Sequence, residues 1–216
     1  MGAIKRQGLF FLGLYALLAF SGCVTLDVAR EVQAGRSALR VGNPQAAIPH
    51  FEAAARQRPE YVTDFTMANI GVWTYVGRAY YEAGDTANAE ASLKRAVVRN
   101  ARDFFAKSYL GLVRVDGGGR EEGRRELEAG LKGLRSWLDQ VPGRSREGKY
   151  WDPGRLMFNK AGETLSALQG EAVDWQKVRE DVILLGRNFD LEIDDVKRQR
   201  EAEKDGGRRS GSNGKP

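Results

Sequence analysis

The feature that most constrains this chain is a recurrence of small and bulky residues at fixed spacing. Residues 28–61 carry Gly35, Gly42, Ala47, Phe51, Ala54 and Pro59. Residues 70–103 carry Trp73, Gly77, Tyr80, Gly84, Ala89, Leu93 and Ala96, and residues 104–137 carry Leu110, Gly111, Gly118, Leu127 and Gly130. Each block spans 34 residues; the second and third abut, and residues 62–69 separate the first from the second. A period of this length is one antiparallel helix pair, which cannot bury its apolar face alone and must stack on its neighbours. Gly35, Gly77 and Gly111 fall where the first helix of a pair crosses the second, with Ala47 and Ala89 facing them, so the axes approach to about 8 Å. Trp73, Tyr80, Phe51 and Leu93 fill the space beside the crossing. Gly42, Gly84 and Gly118 end each first helix, where a left-handed residue is cheapest as glycine. Pro59 closes the second helix of the first block.

Position by position these blocks resemble tetratricopeptide repeats. The best match is Trp73-x2-Val76-Gly77-x2-Tyr80, followed by Gly84-Asp85 and Ala89. The third block departs from the pattern, with Gly123 and Gly130 where alanine is usual and Arg114 where an aromatic is usual. The resemblance implies an all-α, tetratricopeptide-like stack of antiparallel helix pairs over residues 28–141. It also implies a concave face, lined by first-helix residues, that holds peptides. Carried onto this chain the groove positions include Arg36, Leu39 and Arg40, then Arg78 and Tyr81, then Leu112. Arg36 and Arg78 occupy the same place in successive repeats. Two readings stand: an arginine pair that grips a carboxylate or acidic peptide, or two solvated surface arginines.

Beyond the repeats, Leu127, Leu131, Leu134 and Leu138 carry one helix to about Val141, where Pro142-Gly143 breaks it. Asp152 before Pro153 suits a helix start, with Leu156, Met157, Ala161, Leu165 and Leu168 as its apolar face. Asp174 suits a second start. Trp175, Val178, Val182, Leu185, Phe189, Ile193 and Val196 then follow at spacings of three and four, a long amphipathic helix. Residues 142–200 are expected to be C-terminal capping helices that hide the open end of the stack. Tyr150 and Trp151 are either an exposed aromatic anchor for a partner or part of the packing against the third repeat. Residues 201–216 hold no apolar residue after Ala202 and are expected to lack structure.

The amino terminus reads as an address. Lys5 and Arg6 precede an uncharged, mostly apolar run from Gly8 to Phe20. At 13 residues this run is short of the roughly 20 that a membrane span needs. It ends in Phe20-Ser21-Gly22-Cys23, which resembles the bacterial lipobox, with phenylalanine where leucine is usual. The resemblance implies lipidation of Cys23, the sole cysteine of the chain, and removal of residues 1–22 as a signal peptide. Residues 23–27 would form a short tether. Val24 in place of an aspartate implies, in an organism with two membranes, the outer membrane, with the domain facing the periplasm. The alternative is an uncleaved anchor from Leu9 to about Val24.

Charge follows the same division. Residues 1–22 hold two cations and no acids, so the mature chain carries +3 of the formal +5. Residues 197–216 account for +4 of that and leave the body at −1. The basic balance therefore belongs to the tail, and nucleic acid is not expected as a partner. A lone His50 and a lone cysteine rule out an intramolecular disulfide and a Cys/His zinc site. Gly117-Gly118-Gly119-Arg120 lacks the Gly-Lys-Ser/Thr of a phosphate loop and reads as a turn. Glu121-Glu122 and Asp194-Asp195 read as charged helix surface. No cofactor, metal or catalytic residue is expected. The expected function is a non-enzymatic, membrane-anchored scaffold for other cell-envelope proteins, as in secretion, pilus or outer-membrane assembly systems. A cell-wall turnover enzyme or its activator is the alternative.

Overall fold

The computed structural model describes residues 27–63 and 68–212, with side chains through Asp205. The chain is all-helical, a tetratricopeptide-like stack of neighbouring pairs. Helix α1 spans residues 27–40. It is followed by α2 (Pro44–Gln57), α3 (Val72–Glu82), α4 (Thr86–Arg99), α5 (Phe104–Asp116) and α6 (Arg120–Gln140). Short 3-10 turns at Val141–Gly143 and Gly148–Tyr150 lead into α7 (Leu156–Leu168) and α8 (Trp175–Ser212). Among the described residues the extended backbone amounts to one isolated bridge, Val62 to Gly71.

The repeat shows most plainly in the turns. Gly42, Gly84 and Gly118 take φ of 73°, 88° and 91°. After each, the chain closes the preceding helix with the same two bonds. Gly84 N–H donates to Tyr81 O and Asp85 N–H to Tyr80 O, and the equivalents are Gly42 to Leu39 with Asn43 to Ala38, and Gly118 to Val115 with Gly119 to Arg114. The next helix is then capped by a side chain twice, Asn43 accepting from Ala46 N–H (3.1 Å) and Asp85 from Asn88 N–H (3.0 Å).

The crossings explain why the third pair departs from the usual pattern. A Cβ on Gly35 would meet the Phe51 ring at 2.5 Å and one on Gly77 would meet Leu93 at 2.5 Å, so these glycines receive a bulky side chain. In the third pair backbone meets backbone: a Cβ on Gly111 would lie 2.7 Å from Gly123 O, one on Gly123 2.6 Å from Gly111 O, and one on Gly130 2.6 Å from Phe104 O. Glycine in place of alanine on α6 lets α5 and α6 close further than the first two pairs.

The stack is knitted at one end by Asp103. Its carboxylate accepts from Ala106 N–H (2.9 Å) to start α5, and from Thr74 Oγ1–H (2.6 Å) at the start of α3. The segment between α2 and α3 docks beside it, with Val72 N–H donating to Tyr61 O at 2.9 Å.

The C-terminal part differs from a simple end cap. Helix α7 packs on α6, burying Met157, Ala161, Leu165 and Leu168, while Leu156 stays exposed. It begins at Leu156 and not beside Pro153, because the chain leaves Trp151 through left-handed Asp152 (φ 46°) and Arg155 (φ 53°). Asp152 still caps the helix from that position, accepting from Met157 N–H (3.1 Å) and Phe158 N–H (2.9 Å). Asp174 accepts from Lys177 N–H (3.0 Å), as a helix start requires. Helix α8 then turns back along the concave face, and it continues as helix to Ser212 through residues expected to lack structure. Glu203 fastens that extension, accepting from Tyr150 Oη–H and pairing with Lys149 (3.0 Å) and Arg146 (3.3 Å) of the preceding loop.

Candidate functional site

The concave face is built by α1, α3 and α5, and α8 fills it. Val178, Val182, Leu185, Phe189, Ile193 and Val196 of α8 are all buried, and Phe189 reaches Phe105 (5.1 Å between ring centres), Phe104 (5.8 Å) and Trp137 (5.4 Å). Six such side chains at about 1.5–3 kcal/mol each contribute on the order of 10 kcal/mol, an upper figure because a collapsed unfolded chain already hides part of that area. That is comparable with the whole stability of an ordinary domain. Helix α8 is therefore part of the core.

Every residue proposed for the groove lies in this packed region. Leu39, Leu112 and Tyr81 are buried. Arg36 and Arg78 are 1% and 0% exposed, so neither is solvated surface, and the pair does grip a carboxylate. It belongs to Asp190 of α8. Arg36 Nε donates to Asp190 Oδ1 (3.2 Å) and Arg78 Nη2 to Oδ2 (2.9 Å). Arg36 also donates to Asp190 O, to Gln33 Oε1 (3.0 Å) and to Asp194 Oδ1 (3.1 Å), and Arg40 donates to the other oxygen of Asp194. The network continues along α8. Arg187 pairs with Glu82 (3.0 Å), while Arg179 donates to Tyr81 Oη (2.8 Å) and to Asp116.

Sequence reasoning passed over three residues of this network. Asp190 sits beside the apolar stripe, where no local rule marks it. The expectation that Asp194 and Asp195 are both charged surface holds for one of them: Asp194 turns inward at 14% side-chain exposure and Asp195 outward to Arg198. Gly186 is the third. A Cβ there would meet Arg78 Nη2 at 2.8 Å and Tyr109 Oη at 3.0 Å, so glycine makes the notch through which Arg78 reaches the next turn of α8. The usable signal was a polar or glycine residue one position after an apolar-stripe residue, at 186, 190 and 194.

The electrostatics are those of a dry, paired interior. Burial works to lower the Arg78 pKa, but Asp190, Tyr109, Glu82 and Tyr75 together outweigh it and hold the guanidinium above its ordinary value. Arg36 is also raised, burial being outweighed by Tyr75, Asp190 and Asp194 together. Burial pushes the Tyr75 phenol up to about 12, Asp190 adding to the rise, and burial followed by Glu82 raises Tyr109. The Arg78 guanidinium lies 5.5–5.6 Å from the ring centres of Tyr75, Phe105 and Tyr109, which partly offsets its loss of water. These groups are protonated or paired throughout the neutral range. Their arrangement fixes α8 in place.

The aromatic pair resolves differently for its two members. Trp151 is 3% exposed and stacks edge-on to Trp137 (4.9 Å) and against Phe189 (5.1 Å), so it is core and not an exposed anchor. Its indole is drawn in because α8 brings Phe189 to the same place. Tyr150 is half-buried and spends its hydroxyl on Glu203. His50 bonds Glu31 (2.7 Å), and among the described residues no group of three His, Cys, Asp or Glu could hold a metal ion. Cys23 and the lipobox lie outside the described residues, and no described helix is long and apolar enough to cross a membrane. No family model matches the chain, and no curated protein or solved structure matches it.

Proposed function

We propose that the chain is a lipid-anchored scaffold of the bacterial cell envelope that holds other envelope proteins at the membrane. The observation that carries the reading is the architecture: helix pairs stacked as in repeat proteins, an arrangement whose broad, rigid surface serves contact between proteins. The concave face is already occupied by α8, so partners meet the outer helices α2, α4 and α6 and the ends of the stack. The lipobox supplies the anchor. Three residues, 24–26, lie between Cys23 and the start of α1 at residue 27, and the four steps reach about 15 Å, which holds the stack against the head groups.

The test joins fractionation to crosslinking. The full-length protein should be in the membrane fraction, and Cys23→Ser should abolish lipidation and release it, with residues 1–22 retained. A photo-crosslinking residue at Lys94, on the exposed side of α4, should give discrete adducts with envelope proteins, whereas one at Arg36 should react only within the chain. Membrane sedimentation unaffected by Cys23→Ser would overturn the anchor. Hydrolysis of isolated cell wall by the purified protein, lost on changing one acid, would overturn the scaffold.

A further inference from the structure

The end of the stack where the chain enters also carries a cluster of cations that make no ion pair among the described residues. Helices α1 and α2 are joined by a three-residue turn at 41–43, closed by Gly42 N–H on Leu39 O and Asn43 N–H on Ala38 O, and so run antiparallel. The start of α1 therefore lies at the end of α2. The starts of α3 and α5 are tied together there through Asp103, and Asn100, at the end of α4, donates to Asn69 O (3.1 Å) before α3. Residues of α8 beyond Val196 reach the same end, where Glu203 meets the loop after α6.

Between the α4–α5 turn and the end of α6 this surface opens into a cleft of about 420 Å³. Arg102, Lys107 and Arg144 line it, with Asn100, Ser136 and Gln140 as neutral hydrogen-bonding groups. None of the three cations has a carboxylate partner among the described residues; Arg144 donates to Gln140, and Arg99 beside the cleft is likewise free of an ion pair. Other cations at this end are spent, Arg58 on Glu60, Arg200 on Glu147, and Arg146 and Lys149 on Glu203. Val98, on the last turn of α4, is 87% exposed. Three cations without a carboxylate partner among the described residues, beside neutral hydrogen-bonding groups and at the same end as the exposed Val98, match a phosphodiester above an acyl layer.

We infer that this cleft binds the phosphate of an anionic phospholipid, so that the stack stands on the bilayer by the end from which its tether leaves. The inference rests on the lipid-anchor reading, because the tether brings this end within about 15 Å of the head groups. A lone tether fixes distance but leaves the domain free to swivel. The cleft adds a second point of contact and fixes which surfaces of α2, α4 and α6 face away from the membrane.

The test uses the full-length lipidated protein in phosphatidylcholine vesicles, with or without a third of phosphatidylglycerol. A photo-crosslinking residue replaces Val98 or, in a second preparation, Val41, which is 80% exposed in the turn at the opposite end. With phosphatidylglycerol, lipid adducts at position 98 should exceed those at 41 by roughly a hundredfold, the order expected for three cations near an anionic surface. The ratio should fall at least tenfold, to what the tether alone gives, in phosphatidylcholine alone, in 1 M salt, where screening acts within about 3 Å, and in the triple variant Arg102→Gln, Lys107→Gln, Arg144→Gln. An unchanged urea midpoint for that variant confirms that its fold is intact. Equal adducts at both positions with phosphatidylglycerol, or a ratio indifferent to lipid charge, would overturn the inference, as would an acidic peptide that displaces position 98 from lipid at equimolar amounts. Failure of the anchor reading is distinguishable, since the protein would then be in the supernatant before any crosslinking.

Discussion

Replacing Asp190 with asparagine removes one negative charge that serves two buried arginines while leaving the side-chain shape intact. Arg36 keeps a second carboxylate, Asp194 at 3.1 Å, but Arg78 loses its only ion pair among the described residues and is wholly buried. With charge centres roughly 4 Å apart and the effective dielectric of about 20 that fits real proteins, the lost attraction is about 4 kcal/mol. Stripping one partner from a buried pair is measured at about 3–5 kcal/mol, and the two figures agree. Arg78→Met should be milder, about 1–2 kcal/mol, because Asp190 then remains paired with Arg36 and the methionine fills much of the volume between Tyr75, Phe105 and Tyr109. In the Arg78→Met background, Asp190→Asn should lose at least about 2 kcal/mol of its effect. Urea denaturation followed by circular dichroism gives all four corners of this cycle. A cost below about 1 kcal/mol for Asp190→Asn, or additive effects in the double variant, would refute the view that Arg78 depends on this carboxylate.

Two other expectations follow from the packing. Gly130→Ala should destabilise by about 1–3 kcal/mol despite the better helix propensity of alanine, because its Cβ would lie 2.6 Å from the Phe104 carbonyl, a backbone atom that cannot swing away; a midpoint equal to or above that of the parent would show that α5 and α6 separate freely. Because the Tyr75 phenol is raised to about 12 in the folded chain, the unfolded chain ionises first as pH climbs above about 10. The stability that Tyr75 contributes is complete below pH 10 and is lost progressively towards pH 12, in all roughly 3 kcal/mol. Tyr75→Phe should therefore lose less stability than the parent between pH 9 and pH 11 in urea titrations, and parallel losses would contradict the assignment.

Local order was legible because its causes are local. A glycine that must take positive φ is marked by the residue itself, which is why Gly42, Gly84 and Gly118 fixed three turns and the 34-residue period fixed the helix pairs between them. The apolar stripe of α8 was equally plain, from Val178 to Val196. What the stripe covers was not, because an amphipathic helix fits the end of a stack or its concave side equally well by hydropathy alone. Tertiary structure decided that by charge: Asp190 meets Arg36 across 154 residues and Arg78 across 112, and no window of local sequence holds both sides of such a pair. Trp151 followed the same logic, its burial depending on Phe189 arriving from a later helix. Periodicity states which face of each helix must leave water, whereas the neutralisation of buried charge states which faces meet, and only the folded chain brings those charges together.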